Sequence, residues 1–292
     1  MNKNLIRPSE AFRVRLVISD LDGTLLTDEK ELSERSLRAI EALRRTGVLF
    51  TVCTGREYAM LDYFNRQILP TAPIVGNNGG EVIRFPSGEV IHRTLLPKQE
   101  SMRFLSFCEE NGVDFCVTTP VNAFFPHGTH MAQFYLDYEQ QAAREGLNPF
   151  PVLTLDRVAE LRDLPLNKII LRNDFPETKR AKEYLRQETD AFDTTLSSEL
   201  ILEVMPRGMS KASGAQRLIR YLGLTPEECC AVGDYDNDIE LFRLVGLPVA
   251  MGNAKEAVKQ EARYITKCNQ EDGVACLLEE IAAAHATDRK SD

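Results

Sequence analysis

Two aspartates, Asp20 and Asp22, stand one residue apart at the end of the short apolar stretch 16–19 and directly before Gly23. An unpaired carboxylate that is removed from water is very costly, so acids are not expected inside a buried strand. Carboxylates at the carboxyl end of a strand, where a glycine lets the chain turn, lie where open α/β sheets bind their ligands. The pair therefore predicts a ligand or catalytic site at a strand end.

Polar side chains follow three further apolar stretches. They are Thr54 with Gly55, the asparagines 77–78, and the acidic segment 234–238. The carboxyl ends of parallel strands lie along one edge of a sheet, so these groups could converge on the aspartate pair. Lys211 is predicted at the start of a helix that Ser210 caps, and it would bring a cation to the same edge.

Three or more carboxylates that converge from Asp20, Asp22 and the acidic segment 234–238 would repel one another unless a cation neutralises them. A small site with oxygen ligands suits Mg²⁺, which keeps several waters and takes one or two carboxylates together with a substrate phosphate. Such an ion would cancel the repulsion between a phosphate dianion and an attacking carboxylate. The acids therefore predict a Mg²⁺ cofactor.

The same residues predict phosphoryl transfer through an aspartyl-phosphate. Asp20 would be the nucleophile. Asp22 would protonate the leaving oxygen and later deprotonate the hydrolytic water. Thr54, Lys211 and Asn237 would hold the oxygens of the transferring phosphoryl group, where the negative charge is greatest.

Each motif has an ordinary structural explanation when it is taken alone. Asp-x-Asp-Gly is a common turn composition, Thr54-Gly55 is compatible with a plain loop, and a lysine at a helix start is usually solvated. Acids in the segment 234–238 are also favoured by the dipole of a following helix, and we assign Asp236 to that capping role. The joint occurrence of the motifs, each at a strand or helix edge, favours the catalytic interpretation.

His127 and His130 have a spacing that invites a zinc interpretation, but no cysteine or acid stands beside them at ligand spacing. The aromatic residues around them are typical of packing. We assign neither histidine to a site.

The elements that position these residues alternate between strand and helix. A strand at 16–19, a helix over 33–45 and a strand over 48–52 follow one another with short joints, which is typical of a parallel α/β sheet. From about Leu95 a separate alternation of helices and strands begins, and the first pattern resumes near Met205. We predict a Rossmann-like core over 1–94 and 205–292, and an inserted α+β cap domain over 95–204.

Composition limits the class of protein. The 292 residues carry a net charge of −9, which argues against a nucleic-acid or membrane-surface partner. Seven cysteines without framework spacing fit reduced thiols and a cytoplasmic location. We find no signal peptide at the N-terminus and no apolar segment of membrane-spanning length.

The motifs resemble those of the haloacid dehalogenase superfamily, and the insert is similar in size and alternation to its C2 cap. Further segments resemble the Cof-type (IIB) phosphatase branch. The residues that carry the resemblance are Asp20-Leu21-Asp22-Gly23-Thr24, Thr54-Gly55-Arg56, Asn78-Gly79, the segment 205–211, Gly233-Asp234-x-x-Asn237-Asp238, the segment 251–254 and the segment 271–275.

The resemblance implies that Mg²⁺ is bound by Asp20, by the backbone carbonyl of Asp22 and by Asp234, with Asp238 acting through water or from behind the ligands. It also implies that the backbone N–H groups of Leu21 and Asp22 contact phosphate, with Gly55 as a further phosphate-binding position. Where many relatives have Asn-Gly-Ala, this chain has Asn78-Gly79-Gly80. That loop could be a substrate contact or a turn.

We therefore predict a Mg²⁺-dependent phosphatase that acts on a small phosphorylated metabolite, with the cap closing over the site. A sugar phosphomutase on the same scaffold is an alternative, because it would return the phosphoryl group to a sugar instead of to water. A non-catalytic binding protein is a further alternative, and its sign would be loss of Asp20 or Asp22. The sequence leaves the substrate and the oligomeric state open.

Overall fold

This computed structural model describes residues 6–129 and 131–288, and His130 therefore lies outside the described part. Short apolar stretches form its strands. The strands are β1 (Leu16–Ser19), β2 (Leu49–Val52), β3 (Ile74–Gly76), β4 (Glu81–Ile83), β5 (Val90–Arg93), β6 (Phe115–Thr118), β7 (Ala123–Pro126), β8 (Val152–Leu155), β9 (Lys168–Arg172), β10 (Phe192–Ser198), β11 (Ile201–Pro206), β12 (Cys229–Gly233), β13 (Leu247–Ala250) and β14 (Tyr264–Ile265).

Amphipathic stretches between the strands form the helices. The helices are α1 (Pro8–Ala11), α2 (Glu34–Arg45), α3 (Asp62–Ile68), α4 (Lys98–Glu110), α5 (Gln133–Glu145), α6 (Thr178–Gln187), α7 (Lys211–Tyr221), α8 (Ile239–Leu244), α9 (Glu256–Glu261) and α10 (Gly273–Asp288).

Residue contacts divide the chain into two units, and the first consists of Met1–Gly55, Phe64–His92 and Ser210–Asp292. Its main sheet has the strand order β14-β13-β12-β1-β2, and all of these strands are parallel. The order reverses at β1, because β2 lies on one side of it and β12 on the other. Such a reversal is the place where α/β sheets bind ligands.

Helix α2 shows how the sequence sets one of these elements. Ser33 caps it by accepting a hydrogen bond from the backbone N–H of Ser36 at 3.0 Å. Ala39, Ile40 and Leu43 lie on its buried face, and Gly47 follows its end with φ +87°. The helix packs against β2 and α10, as expected for an amphipathic helix on a sheet.

The second unit consists of Arg56–Tyr63 and Arg93–Met209. Its six-stranded mixed sheet has the order β10-β11-β9-β6-β7-β8. Alternate residues of the central strands supply two apolar clusters: Val117 and Ile169 belong to one, and Cys116 and Ile170 to the other. Both faces of this sheet are therefore packed.

A buried ion cluster lies within this second unit. The Lys168 Nζ is 2.8 Å from Glu203 Oε1 and 3.4 Å from Glu57 Oε1. All three side chains are buried, and the two carboxylates raise the pKa of Lys168 against the opposing effect of burial. The contact ties the segment 56–63 to the inserted sheet.

The predicted fold class, an α/β protein with a parallel-sheet core, is confirmed. The predicted ranges 1–94, 95–204 and 205–292 resemble the two units but omit the assignment of 56–63 to the second one. Whether the units are separate domains stays a prediction. Helix α10 extends past Ala284 to Asp288.

All seven cysteines are free thiols, as the sequence predicts. Among residues 6–129 and 131–288, no helix combines the length and apolar character that crossing a membrane requires.

Candidate active site

Asp20 follows β1 and continues its ladder, because its backbone N–H donates to the Val232 carbonyl at 2.9 Å. The next residues, Leu21–Leu25, form one wide turn, and the Leu26 N–H closes it on the Leu21 carbonyl at 2.9 Å. Gly23 has φ +77° in this turn. The turn places Asp20 at the end of the sheet with its side chain directed into the first unit, where it is only 6% exposed.

Lys211 lies at the first position of α7, where a reciprocal pair of hydrogen bonds between Ser210 and Ser213 caps the helix. Its Nζ is 2.8 Å from Asp20 Oδ1 and 2.7 Å from Asp238 Oδ1. Lys211 is only 1% exposed. A lysine at a helix start is usually solvated, and here it is instead the shared partner of two buried carboxylates.

Asp238 is held from several sides. Beyond its contact with Lys211, its Oδ2 accepts hydrogen bonds from the backbone N–H groups of Asp234 at 3.0 Å and Tyr235 at 3.1 Å. Gly233 leaves room for it, since a Cβ there would collide with the Asp238 carboxylate. Asp238 therefore fixes both Lys211 and the start of the acidic segment.

Asp234 accepts a hydrogen bond from the Thr24 hydroxyl to its Oδ1 at 2.6 Å. A Cβ on Gly23 would lie 2.6 Å from Asp234 Oδ2, so only glycine leaves that oxygen clear. The wide turn after β1 therefore shapes the surroundings of a carboxylate 210 positions further along the chain.

The cluster is short of positive charge. Burial raises the pKa of Asp20 well above its ordinary value, and Asp238 and Asp234 add to this while Lys211 opposes it. Burial likewise raises the pKa of Asp234 to about 6, opposed by the hydrogen bond from Thr24. The pKa of Lys211 is raised because Asp20 and Asp238 outweigh its burial. The Lys211 ammonium thus contacts Asp20 and Asp238 and also partly offsets the charge of Asp234.

This donor set fits a divalent cation. Carboxylate oxygens of Asp20, Asp234 and Asp238 all lie within 4.8 Å of one another. They are oxygen ligands on a buried, net-negative site, which is what Mg²⁺ prefers. Because Asp238 already holds Lys211 and two backbone N–H groups, Asp20 and Asp234 have more capacity for an ion.

Thr54, Asn78 and Asn237 form a second group of hydrogen-bonded residues. The Asn78 N–H donates to the Thr54 carbonyl at 2.9 Å, and Asn237 Nδ2 donates to Asn78 Oδ1 at 3.1 Å. A backbone hydrogen bond connects the Thr54 loop to the Asp20 cluster. The N–H of Cys53, which precedes Thr54, donates to the carbonyl of Ser19, which precedes Asp20, at 2.8 Å.

Asp22 lies in the wide turn, and its side chain is more accessible than that of Asp20. Its Oδ1 is 3.0 Å from Lys30 Nζ, and the side chain is 36% exposed. Asp22 is absent from the group of converging carboxylates among the described residues. The exposure leaves this carboxylate in a different environment from Asp20, as a separate acid–base role would need.

The family follows from comparison with known proteins. Residues 17–278 match the family model of the haloacid dehalogenase-like hydrolases, which covers most of the chain. The chain belongs to this family. The resemblance noted in the sequence motifs is therefore confirmed.

Individual relatives of this haloacid dehalogenase-like hydrolase agree with that assignment. The 5-amino-6-(5-phospho-D-ribitylamino)uracil phosphatase YitU of Bacillus subtilis is 30% identical over 271 residues, which cover 91% of this chain and 96% of the relative. A haloacid dehalogenase-like hydrolase from Bacteroides thetaiotaomicron has a TM-score of 0.78 and 26% identity, covering 92% and 99% of the two chains. The subclass IIB sugar phosphatase BT4131 has a TM-score of 0.76 and 25% identity, covering 91% and 98%.

The predicted enzyme class, a phosphoric monoester hydrolase of the haloacid dehalogenase type, is thus confirmed. The individual roles of the predicted site residues stay predictions. Their placement is plain: Asp20, Lys211, Asp234 and Asp238 meet in one cluster, whereas the Asp22 side chain points to Lys30.

Sequence reasoning left some structural partners without a role. Thr24 stands in the quoted motif, but nothing in its type announces a bond to Asp234. Asn253 Nδ2 donates to the Gly23 carbonyl at 2.8 Å, and Asn269 Nδ2 donates to the Leu26 carbonyl at 3.1 Å. These asparagines brace the wide turn. Asn253 belongs to the quoted segment 251–254, whereas Asn269 lies outside every quoted motif.

Asp236 and His127 lie apart from the cluster. Asp236 Oδ2 is 2.7 Å from Lys255 Nζ, and Asp236 belongs to a short 3-10 turn before α8, as its predicted capping role suggests. His127 Nε2 is 2.6 Å from Asp156 Oδ1 on the exposed surface of the second unit.

Proposed function

We propose that this protein is a Mg²⁺-dependent phosphatase that hydrolyses phosphomonoesters of small sugar-like metabolites through an aspartyl-phosphate on Asp20. The observation that carries the proposal is the contact of the buried Lys211 ammonium with Asp20 at 2.8 Å and Asp238 at 2.7 Å, beside Asp234. A buried carboxylate that is oriented by an ammonium and short of positive charge is suited to attack a phosphoryl group once a cation is present.

In the first step an oxygen of Asp20 attacks phosphorus and the bond from phosphorus to the ester oxygen breaks. Lys211 holds the attacking carboxylate in place and supplies positive charge where the phosphoryl oxygens gain negative charge. Thr54, Asn237 and the backbone N–H groups of Leu21 and Asp22 hold those oxygens. Gly55 keeps the Thr54 turn open for them.

Asp22 handles the protons. Its carboxylic acid gives a proton to the leaving alkoxide in the first step. In the second step its carboxylate takes a proton from the water that attacks phosphorus. The bond from phosphorus to Asp20 then breaks, the Asp20 carboxylate is restored and inorganic phosphate leaves. The accessible position of Asp22 supports this exchange with water and leaving group.

Asp20, Asp234 and the backbone carbonyl of Asp22 would hold Mg²⁺, and Asp238 would support them from behind. When bound, the ion supplies the positive charge that lets an anionic carboxylate approach an anionic phosphate. The convergence of the Asp20, Asp234 and Asp238 carboxylate oxygens, all within 4.8 Å of one another, supports the assignment.

The names of two relatives support a substrate in which phosphate is esterified to a sugar or sugar alcohol. One is named for 5-amino-6-(5-phospho-D-ribitylamino)uracil and the other for sugar phosphates. A cytoplasmic location is supported by the seven free cysteines, and the net charge of −9 supports a small-molecule partner rather than nucleic acid.

A phosphate-release assay over a panel of sugar and sugar-alcohol phosphates, with Mg²⁺ present, tests the proposal. Asp20→Asn should abolish release, because an amide oxygen is a poor nucleophile, while the protein stays folded. Asp236→Asn is the matched control, since that acid binds Lys255 outside the cluster, and it should keep activity. Retained turnover in Asp20→Asn would sink the nucleophile assignment.

The same assay separates the alternatives. Transfer of the phosphoryl group to another position of a sugar, without free phosphate, would indicate the phosphomutase. Addition of a chelator should stop phosphate release, and restoring Mg²⁺ should recover it. An enzyme that is insensitive to the chelator would contradict the metal assignment.

A further inference from the structure

Asn78 is a buried residue without a role in the proposed reaction. It follows β3 in the loop 77–80, it is fully buried, and its backbone is left-handed with φ +48°. Asparagine is among the few residues that tolerate this conformation, although glycine adopts it more easily. The contacts of the Asn78 side chain explain why asparagine, and not glycine, occupies this position.

The Asn78 side chain contacts two other loops of the site. Its Oδ1 accepts the hydrogen bond from Asn237 Nδ2 at 3.1 Å. Its carboxamide also lies against Gly55, where a Cβ would come within 3.2 Å of Asn78 Nδ2. The backbone N–H of Asn78 donates to the Thr54 carbonyl at 2.9 Å. One residue therefore touches the Thr54–Gly55 turn and Asn237.

The loop that carries Asn78 is itself fixed against helix α7. A Cβ on Gly79 would collide with the Ser210 carbonyl, and a Cβ on Gly214 would collide with Gly79. The backbones approach more closely than any side chain allows. Asn78 is thus anchored to the same helix that begins at Lys211.

We propose that Asn78 is a positioning residue that orients the Asn237 carboxamide toward the transferring phosphoryl group and holds the Thr54–Gly55 turn beside it. This rests on the proposed function, in which Asn237 and Thr54 bind phosphoryl oxygens. The bond to Asn78 uses one N–H of Asn237 Nδ2, fixes the rotation of the carboxamide and leaves its second N–H for the substrate.

Asn77 provides a matched comparison. It is also fully buried and also left-handed, with φ +50°. Within the described part of the chain neither polar atom of its side chain has a hydrogen-bond partner. Replacing Asn77 and Asn78 by glycine removes the same carboxamide from the same kind of backbone, and only Asn78 loses a bond to Asn237.

The test compares four variants of the full-length protein, with p-nitrophenyl phosphate and Mg²⁺: Asn78→Gly, Asn237→Ala, the double variant and Asn77→Gly. Asn78→Gly should lower kcat about tenfold and change KM less than about threefold, because the lost contact acts in the transition state. Asn237→Ala should lose a similar factor or more. The kcat of the double variant should be no more than about twofold below that of Asn237→Ala, because both substitutions remove the same hydrogen bond between Asn237 and Asn78. Asn77→Gly should keep kcat within about twofold.

Independent losses that multiply in the double variant would overturn the proposal, and so would a loss in Asn77→Gly equal to that in Asn78→Gly. Asn78→Ser, whose hydroxyl is too short to reach Asn237, gives a second truncated side chain and should lose the same factor. Melting temperatures of all variants identify any that do not fold. Wild type and Asp20→Asn run alongside, also on the sugar-phosphate panel: a wild type that is inactive on every substrate contradicts the proposed function, whereas an active wild type with an unaffected Asn78→Gly contradicts only this inference.

Discussion

The Nζ of Lys211 lies 2.8 Å from Oδ1 of Asp20, inside the protein and at the carboxyl end of β1. Lysine and aspartate come from parts of the chain on either side of the inserted unit, and the parallel pairing of β1 with β12 brings those parts together. The fold itself thus orients the Asp20 carboxylate, which we propose as the nucleophile.

Lys211→Met should abolish turnover and lower the stability by about 3–5 kcal/mol, because it leaves Asp20 and Asp238 buried without their cation. Lys168→Met is the matched control, since Lys168 is equally buried and also lies between two carboxylates, Glu57 and Glu203. We expect a similar loss of stability there, with turnover of the folded protein kept within about tenfold. Kinetics and denaturant unfolding check both. Equal losses of turnover would show that Lys211 has only a structural role.

The stability of the metal-free protein should fall as the pH rises through about 6. Burial raises the pKa of Asp234 to about 6, so the folded state binds this proton more tightly than the unfolded chain does. The stability that it contributes is therefore present at low pH and lost at higher pH. Between about pH 5.5 and about pH 7.5 we expect a loss of about 1 kcal/mol from this group.

Asp20, whose pKa is also raised, changes the stability in the same direction. Thermal unfolding across this pH range measures the effect, and Asp234→Asn is the control because it removes one of the titrating groups. An unchanged pH dependence in Asp234→Asn would contradict the explanation. Saturating Mg²⁺ should reverse the trend, since it binds the ionised carboxylates.

Thr24→Val should weaken activation by Mg²⁺ about tenfold, because it removes the hydroxyl that holds Asp234 in its ionised form. Valine has nearly the same shape, so the fold should be kept. The Mg²⁺ concentration that gives half-maximal phosphate release is the measurement. Thr27→Val serves as control, because the Thr27 hydroxyl accepts from the Glu31 N–H at 3.4 Å and no cluster carboxylate is its partner in the described chain. The same shift in both variants would rule out a specific effect of Thr24.

Gly79→Ala should destabilise the protein by about 2–4 kcal/mol, because its Cβ would collide with the Ser210 carbonyl at a left-handed position. Gly88→Ala is the control: Gly88 is also left-handed, with φ +71°, but a Cβ there meets nothing within 4 Å. We expect Gly88→Ala to lower the free energy of unfolding by about 1 kcal/mol, because only the left-handed backbone conformation is unfavourable for alanine there. Unfolding by denaturant measures both, and equal losses would mean that the close approach to α7 contributes nothing.

The strand ends of the site were predictable because their signal is local. An apolar stretch that stops at Asp20, Thr54 or Asp234 marks the boundary between a buried strand and a polar loop, whatever the remaining chain does. The parallel sheet follows from the short strand–helix joints. Lys211 at a helix start followed from its capping serine.

The partnerships between these residues were not predictable from the sequence. That Asp238 accepts from Lys211 and Asn237 donates to Asn78 depends on side-chain directions set by the folded backbone. Helix α5, in contrast, does carry a local signal, because its buried residues Tyr135, Tyr138 and Ala142 lie at helical spacing. The association of 56–63 with the second unit depends on the buried contact of Glu57 with Lys168, and spacing along the chain carries no sign of it.

All of the predicted catalytic, phosphate-binding and metal-binding positions lie within the first unit, in the stretches 20–22, 54–55, 211 and 234–238. The second unit, Arg56–Tyr63 and Arg93–Met209, contributes none of these predicted positions. The insert can therefore change in sequence and length under its own constraints while the acid–lysine arrangement stays fixed. Such a division lets a lineage keep one chemistry and vary the inserted unit independently.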